Sequence, residues 1–110
     1  MSVTIDLDRL AETAAGYATV PMLLTTDPDG RPRASAVTVE WDGTDAIVRA
    51  GRRSVANAAD RPLVSLLWPA PPGESHALLV DGERAEASDG TVRLRATNAI
   101  LHVVVARSAG

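Results

Sequence analysis

Apolar and polar positions alternate with a period of two through most of this chain, in short runs. Residues 33–41 place Val37, Val39 and Trp41 on one face, the pattern of a half-buried strand. Residues 20–26 and 45–50 are apolar runs of strand length, and 63–68 is apolar nearly throughout, as in a buried central strand. A further strand covers 76–87, with Asp81-Gly82 as a bend or bulge inside it. Residues 91–96 set Val92 and Leu94 against Arg93 and Arg95, and 100–105 is a last β-prone run. Asp27-Pro28-Asp29-Gly30, Asp42-Gly43 and Ser88-Asp89-Gly90 supply the turns.

Two segments follow helical spacing instead. Leu7, Leu10, Ala11 and Ala14 share one face, with Asp6 as the expected N-cap and Gly16 at the C-terminal end. Residues 54–60 form a second short helix, stopped by Pro62. Six or seven closely spaced antiparallel strands must hide their edges, which predicts a mainly β fold: a small barrel with peripheral short helices.

Composition narrows the picture. The 110 residues are 45% hydrophobic but contain no Phe, one Tyr and two Trp. Val, Leu, Ile and Ala must therefore build the core, and such small side chains leave room for a core completed across a subunit interface. The length fits one domain, residues 1–110. The net charge is −3, which argues against general nucleic-acid or membrane-surface binding. The absence of cysteine excludes disulfides, thiolate catalysis and iron–sulfur sites. No targeting segment and no apolar run of membrane-spanning length is visible, so a soluble cytoplasmic protein is expected. His76 and His102 lie far apart, without a neighbouring acid at ligand spacing, so no metal site is expected. His102 reads as a buried, hydrogen-bonded structural histidine.

All eleven basic residues are arginines, and two of them stand together in Arg52-Arg53-Ser54. This triplet lies just after a strand and at the start of the second helix, with Ser54 as its expected cap. Helix-start N–H groups lack internal partners and carry partial positive charge, so the triplet is a candidate seat for a phosphate.

Four stretches, in this order, carry a resemblance. They are Leu23-Leu24-Thr25-Thr26-Asp27-Pro28-Asp29-Gly30-Arg31-Pro32, Val39-Glu40-Trp41-Asp42-Gly43, Arg52-Arg53-Ser54-Val55-Ala56-Asn57 leading into Arg61-Pro62-Leu63-Val64-Ser65-Leu66-Leu67-Trp68, and Val80-Asp81-Gly82-Glu83-Arg84-Ala85-Glu86. Together with the element order, they resemble the pyridoxamine 5′-phosphate oxidase-like family of flavin-binding proteins. That resemblance implies a split β-barrel of antiparallel Greek-key type. It implies a homodimer with FMN, or in some branches a deazaflavin or heme, at the subunit interface. It also implies a flavin-dependent oxidoreductase acting on a small molecule. The alternatives are a non-catalytic flavin-, deazaflavin- or heme-binding barrel, and one that has lost its cofactor.

Carried over by position, Arg53 falls on the family's phosphate arginine, with Arg52 before it. Ser54 stands at the lysine position that follows, and Ser35 at a second-strand arginine position. Arg33 lies two residues earlier on the same face, and the partner strand runs on to Val37. Asn57 matches a residue often found in the short helix, and Ala77 replaces a ring-contacting glutamine. The resemblance places the substrate pocket around residues 69–75 and near the termini. It assigns no catalytic side chain, because the chemistry belongs to the cofactor. Asp27 and Asp29 read as turn residues, and Trp41 and Trp68 as packing residues.

Overall fold

The computed structural model describes residues 2–104. The chain forms β1 (Ser2–Thr4), a 3-10 turn (Leu7–Arg9), α1 (Leu10–Ala15), β2 (Met22–Thr26), β3 (Pro32–Ala36), β4 (Thr38–Asp42), β5 (Asp45–Arg49), α2 (Arg52–Asp60), β6 (Leu63–Trp68), β7 (His76–Ser88) and β8 (Thr91–Val103). One antiparallel sheet holds all eight strands, in the order β3-β2-β6-β7-β8-β5-β4, with β1 also paired to β8. The two edge strands, β3 and β4, are consecutive in sequence and joined only through Val37. The sheet therefore curls until its edges meet at one residue. This is the mainly antiparallel β architecture with two short helices that the alternation predicts, as a half-barrel of eight strands rather than a small barrel of six or seven.

Four expectations need correction. Residues 33–41 form two strands rather than one, because Val37 leaves the ladder and donates its N–H to the Pro21 carbonyl at 3.1 Å. Inward alternation survives the break: Arg33, Ser35, Val37, Val39 and Trp41 are all more buried than their neighbours. Residues 91–96 and 100–103 belong to one continuous β8, and position 105 lies outside the described residues. Asp6 precedes the 3-10 turn without a side-chain cap, whereas Gly16 is the C-cap of α1 as expected, in ordinary right-handed geometry (φ −78°). His102 is exposed on β8 rather than buried.

The core is aliphatic, as the composition requires. Leu10, Leu23, Leu66, Leu78, Leu94, Val48, Val80 and Val92 are fully buried. They come from α1 and from the inward positions of β2, β5, β6, β7 and β8. A register shift between Asp81 and Gly82 confirms the expected bulge in β7. Arg93 locks the β4–β5 turn onto β8 by pairing with Asp42 and with Asp45 (2.9 Å).

After β5, α2 carries the chain across the barrel to β6. Its C-terminal end is satisfied by Arg84 of β7, whose Nε and Nη2 donate to the Ala58 and Ala59 carbonyls at 3.2 and 3.3 Å. Its N-terminal end has no side-chain cap and no acidic residue in the first turn. The helix's own first turn thus supplies no negative charge to its positive end, where Arg52 and Arg53 stand exposed.

Candidate functional site

The inward face of the β2–β3 hairpin meets the first turns of α2. Leu23, Thr25 and Asp27 continue the inward phase of β2, and Thr25 and Leu23 pair in register with Arg33 and Ser35. The hairpin loop closes through the Asp27 N–H to the Arg31 carbonyl (2.8 Å) and the Gly30 N–H to the Asp27 carbonyl (2.9 Å). Gly30 takes φ +88° in this turn, a conformation that favours glycine.

This geometry drives the Asp27 carboxylate into the interior, where the residue is only 3% exposed. Arg33 Nε donates to its Oδ2 at 2.5 Å, and Asn57 Nδ2 donates to its Oδ1 at 2.8 Å. The same amide reaches Thr25 Oγ1 at 3.2 Å. Arg53 Nε lies 3.6 Å from Asp27 Oδ1. The Ser35 and Ser54 hydroxyls share a hydrogen bond of 3.0 Å. The structure therefore gathers Arg33, Ser35, Arg53, Ser54 and Asn57 into one cluster, with Arg52 exposed at its rim and Val37 next along the strand face.

Two details differ from expectation. Gly51, not Ser54, occupies the N-cap of α2, while Ser54 is buried inside the first turn and bonded across to β3. Asp27 is the centre of the cluster rather than a plain turn residue. The signal that reveals it is the two-residue phase of Leu23 and Thr25, which carries one step past the end of the strand.

The hydrogen bonds from Arg33 and then Asn57 hold the Asp27 carboxyl below the ordinary aspartate range, against the opposing effect of burial. A depressed folded-state pKa means that the contact stabilises fully above the unfolded value, about 3.9, and that this contribution is lost as pH falls through the folded one. We expect urea midpoints to drop between pH 5 and pH 2 more steeply in the natural protein than in Asp27→Asn. Parallel slopes would contradict the contact.

A second feature adjoins the cluster. Trp41 and Trp68 stack with ring centroids 6.1 Å apart and planes 18° off parallel. They border a cavity of about 470 Å³ that Val37, Val39, Tyr17 and the small face of α1 also line. Among the described residues no charged side chain lines it. Beside it, Pro71, Pro72, Glu74 and His76 enclose a cavity of about 420 Å³ with Tyr17, within the loop region expected to shape a substrate pocket. Tyr17 donates its hydroxyl to the His76 carbonyl at 3.1 Å, and burial, helped by Glu74, pushes its phenol pKa up. Ala77, at the glutamine position, is buried and offers no polar group. Among the described residues no cluster suits a metal ion, and no helix is long and apolar enough to cross a membrane.

Solved structures share the architecture. An F420 reductase superposes with a TM-score of 0.66 at 18% identity, covering 80% of this chain and 94% of its own. A FAD-binding protein from Mesorhizobium loti superposes with a TM-score of 0.63 at 13% identity, covering 93% of this chain and 99% of its own. The fold is that of these split-barrel proteins. No family model matches the chain, and no curated protein matches it.

Proposed function

We propose that this chain is a flavin-binding split-barrel protein of the pyridoxamine 5′-phosphate oxidase-like type. In this reading it holds FMN at an interface between two copies and serves as an oxidoreductase on a small molecule. The observation that carries this reading is the inward phase that β3 and β4 share across the break at Val37. Arg33 and Ser35 belong to the cationic cluster, while Val37, Val39 and Trp41 continue the same face into the uncharged cavity. Alternate residues on a strand are about 7 Å apart, so a charged subsite and an apolar one adjoin. A ligand with a phosphate at one end and a flat ring system at the other matches that order.

The donor set fits the phosphate end. Arg52 and Arg53 are exposed, and the free N–H groups of the first turn of α2 lie beside them. With Arg33 counted, three guanidiniums stand against the carboxylate of Asp27 and the nearby charge of Asp29, a net positive surplus suited to an anion. Val37, Trp41 and Trp68 would bound the ring and exclude water from it. A bound flavin supplies hydride chemistry, while the chain supplies position and electrostatics.

A half-buried apolar row supports the second copy. Met22, Leu67, Leu79 and Ile100 stand in register across the outer face of β2, β6, β7 and β8. A deazaflavin is the second reading, favoured by the structural similarity to an F420 reductase.

Sedimentation velocity with added FMN, followed at about 450 nm where a flavin absorbs, tests the cofactor and the assembly together. The yellow boundary should travel with a dimer. Colour travelling with a monomer would remove the interface, and colour left in the supernatant would remove FMN, leaving the deazaflavin to be tried in the same cell.

A further inference from the structure

The buried carboxylate at the centre of the cluster has a role that the seat alone does not explain. Asp27 presents one oxygen to each of two arginines from different elements: Oδ2 to Arg33 of β3 and Oδ1 to Arg53 of α2. Both approach through Nε, the inner nitrogen of the guanidinium. Among the described residues, Arg33 makes no side-chain hydrogen bond besides the one to Asp27, and Arg53 makes none, its approach to Asp27 being an ion pair just beyond hydrogen-bond distance. The terminal nitrogens of both therefore remain available to an incoming oxyanion. Asn57 fixes the carboxylate from the other side and ties it to Thr25, so the carboxylate is itself held in place.

We infer that Asp27 is a positioning residue: it clamps the Nε edges of Arg33 and Arg53 so that the two guanidiniums converge on the phosphate group of a phosphorylated ligand. This inference rests on the reading of the mouth of α2 as a phosphate seat. It gives Asp27 an effect opposite in sign to its charge. If the seat worked by net charge alone, removing a carboxylate beside it would strengthen anion binding. If the carboxylate works as a clamp, removing it weakens binding, because the arginines lose their shared anchor and must be ordered by the ligand itself.

FMN and riboflavin, which differ by the phosphate, separate the two cases. Calorimetric or fluorescence titration of the natural protein should show FMN bound more tightly than riboflavin. In Asp27→Asn, FMN affinity should fall about tenfold or more while riboflavin affinity stays within about twofold, as for loss of an oriented charge-assisted contact. FMN bound as tightly as before, or more tightly, would overturn the clamp and leave the seat standing. A natural protein with no preference for FMN over riboflavin would overturn both.

Asp27 is buried, so a second variant is needed should Asp27→Asn fail to fold: Arg53→Lys decides the matter in that event. Lysine keeps the charge at an exposed position but replaces the flat fork with one compact ammonium, so it cannot give one edge to Asp27 and a parallel pair of terminal N–H groups to a phosphate. The clamp predicts that Arg53→Lys also loses about tenfold in FMN affinity, whereas a seat acting through charge alone predicts little change. An unchanged FMN affinity in Arg53→Lys would overturn the clamp.

Discussion

Replacing Trp68 by alanine should lower the free energy of unfolding by about 3–5 kcal/mol, a large part of what a domain of this size has. Trp68 ends β6, is 4% exposed and faces inward after Val64 and Leu66. Its ring is half of the only stacked pair among the described residues. The chain contains no Phe to refill the space. Trp41, which sits on β4 at an open sheet edge, would lose the partner that fixes its ring, so the cavity wall would be disordered together with the core. Urea unfolding followed by far-UV circular dichroism measures the loss. A change below about 1 kcal/mol would mean that this end of the barrel is not packed as described.

Gly82→Ala should be nearly as costly, at about 3 kcal/mol, although it adds a single methyl group. Gly82 sits at the β7 bulge, buried and paired in register with Val64 on one side and Ala96 on the other. A Cβ there would stand 2.7 Å from the Arg95 carbonyl oxygen and 2.7 Å from Leu94 Cγ, with Leu94 Cδ2 closer still. Leu94 has no accessible surface to move into, and the carbonyl belongs to the neighbouring strand. Relief requires the two longest strands to separate. The same urea experiment checks it, and an unchanged midpoint would show that the bulge is looser than the structure has it.

Both residues were visible in the sequence, but to different degrees. The Asp81-Gly82 pair inside an apolar run signals a bulge, because aspartate and glycine both weaken a regular ladder. Nothing in the run reveals that a neighbouring leucine fills the space above the glycine. Alternation carried most of the fold: each inward residue from Arg33 to Trp41 has the phase the pattern predicts. The same alternation hid the break at Val37, since a kink that preserves inward phase leaves no mark on a period-two pattern. The exposure of His102 leaves no mark in the sequence, because residues 100–105 are apolar on both sides of it and define no phase. β1 is three residues long, too short to carry any pattern, and exists because β8 offers it a partner.

The candidate site was legible in its parts and not in its centre. The doubled arginine before a short helix points to an anion, and the resemblance to flavin-binding barrels singles out Ser35, Arg33 and Asn57. What binds Arg33, Arg53 and Asn57 together is Asp27, which the Asp-Pro-Asp-Gly turn signal disguises, while Ser35 joins the cluster through Ser54. A turn residue is ordinarily solvated; this one continues the inward phase of β2 and is buried between two arginines and an amide. Its negative charge makes the cluster self-supporting, so the cluster holds α2 against the β2–β3 hairpin.

The central claim is that the mouth of α2 reads a phosphate while the adjoining face reads a ring. Titration of the natural protein with FMN and with riboflavin tests it most directly, since the ring is common to both and only one carries the phosphate. The account predicts that both bind and that FMN binds at least about tenfold more tightly, the margin expected of charge-assisted contacts to a phosphate. Equal affinities for the two, or binding of neither, would contradict it.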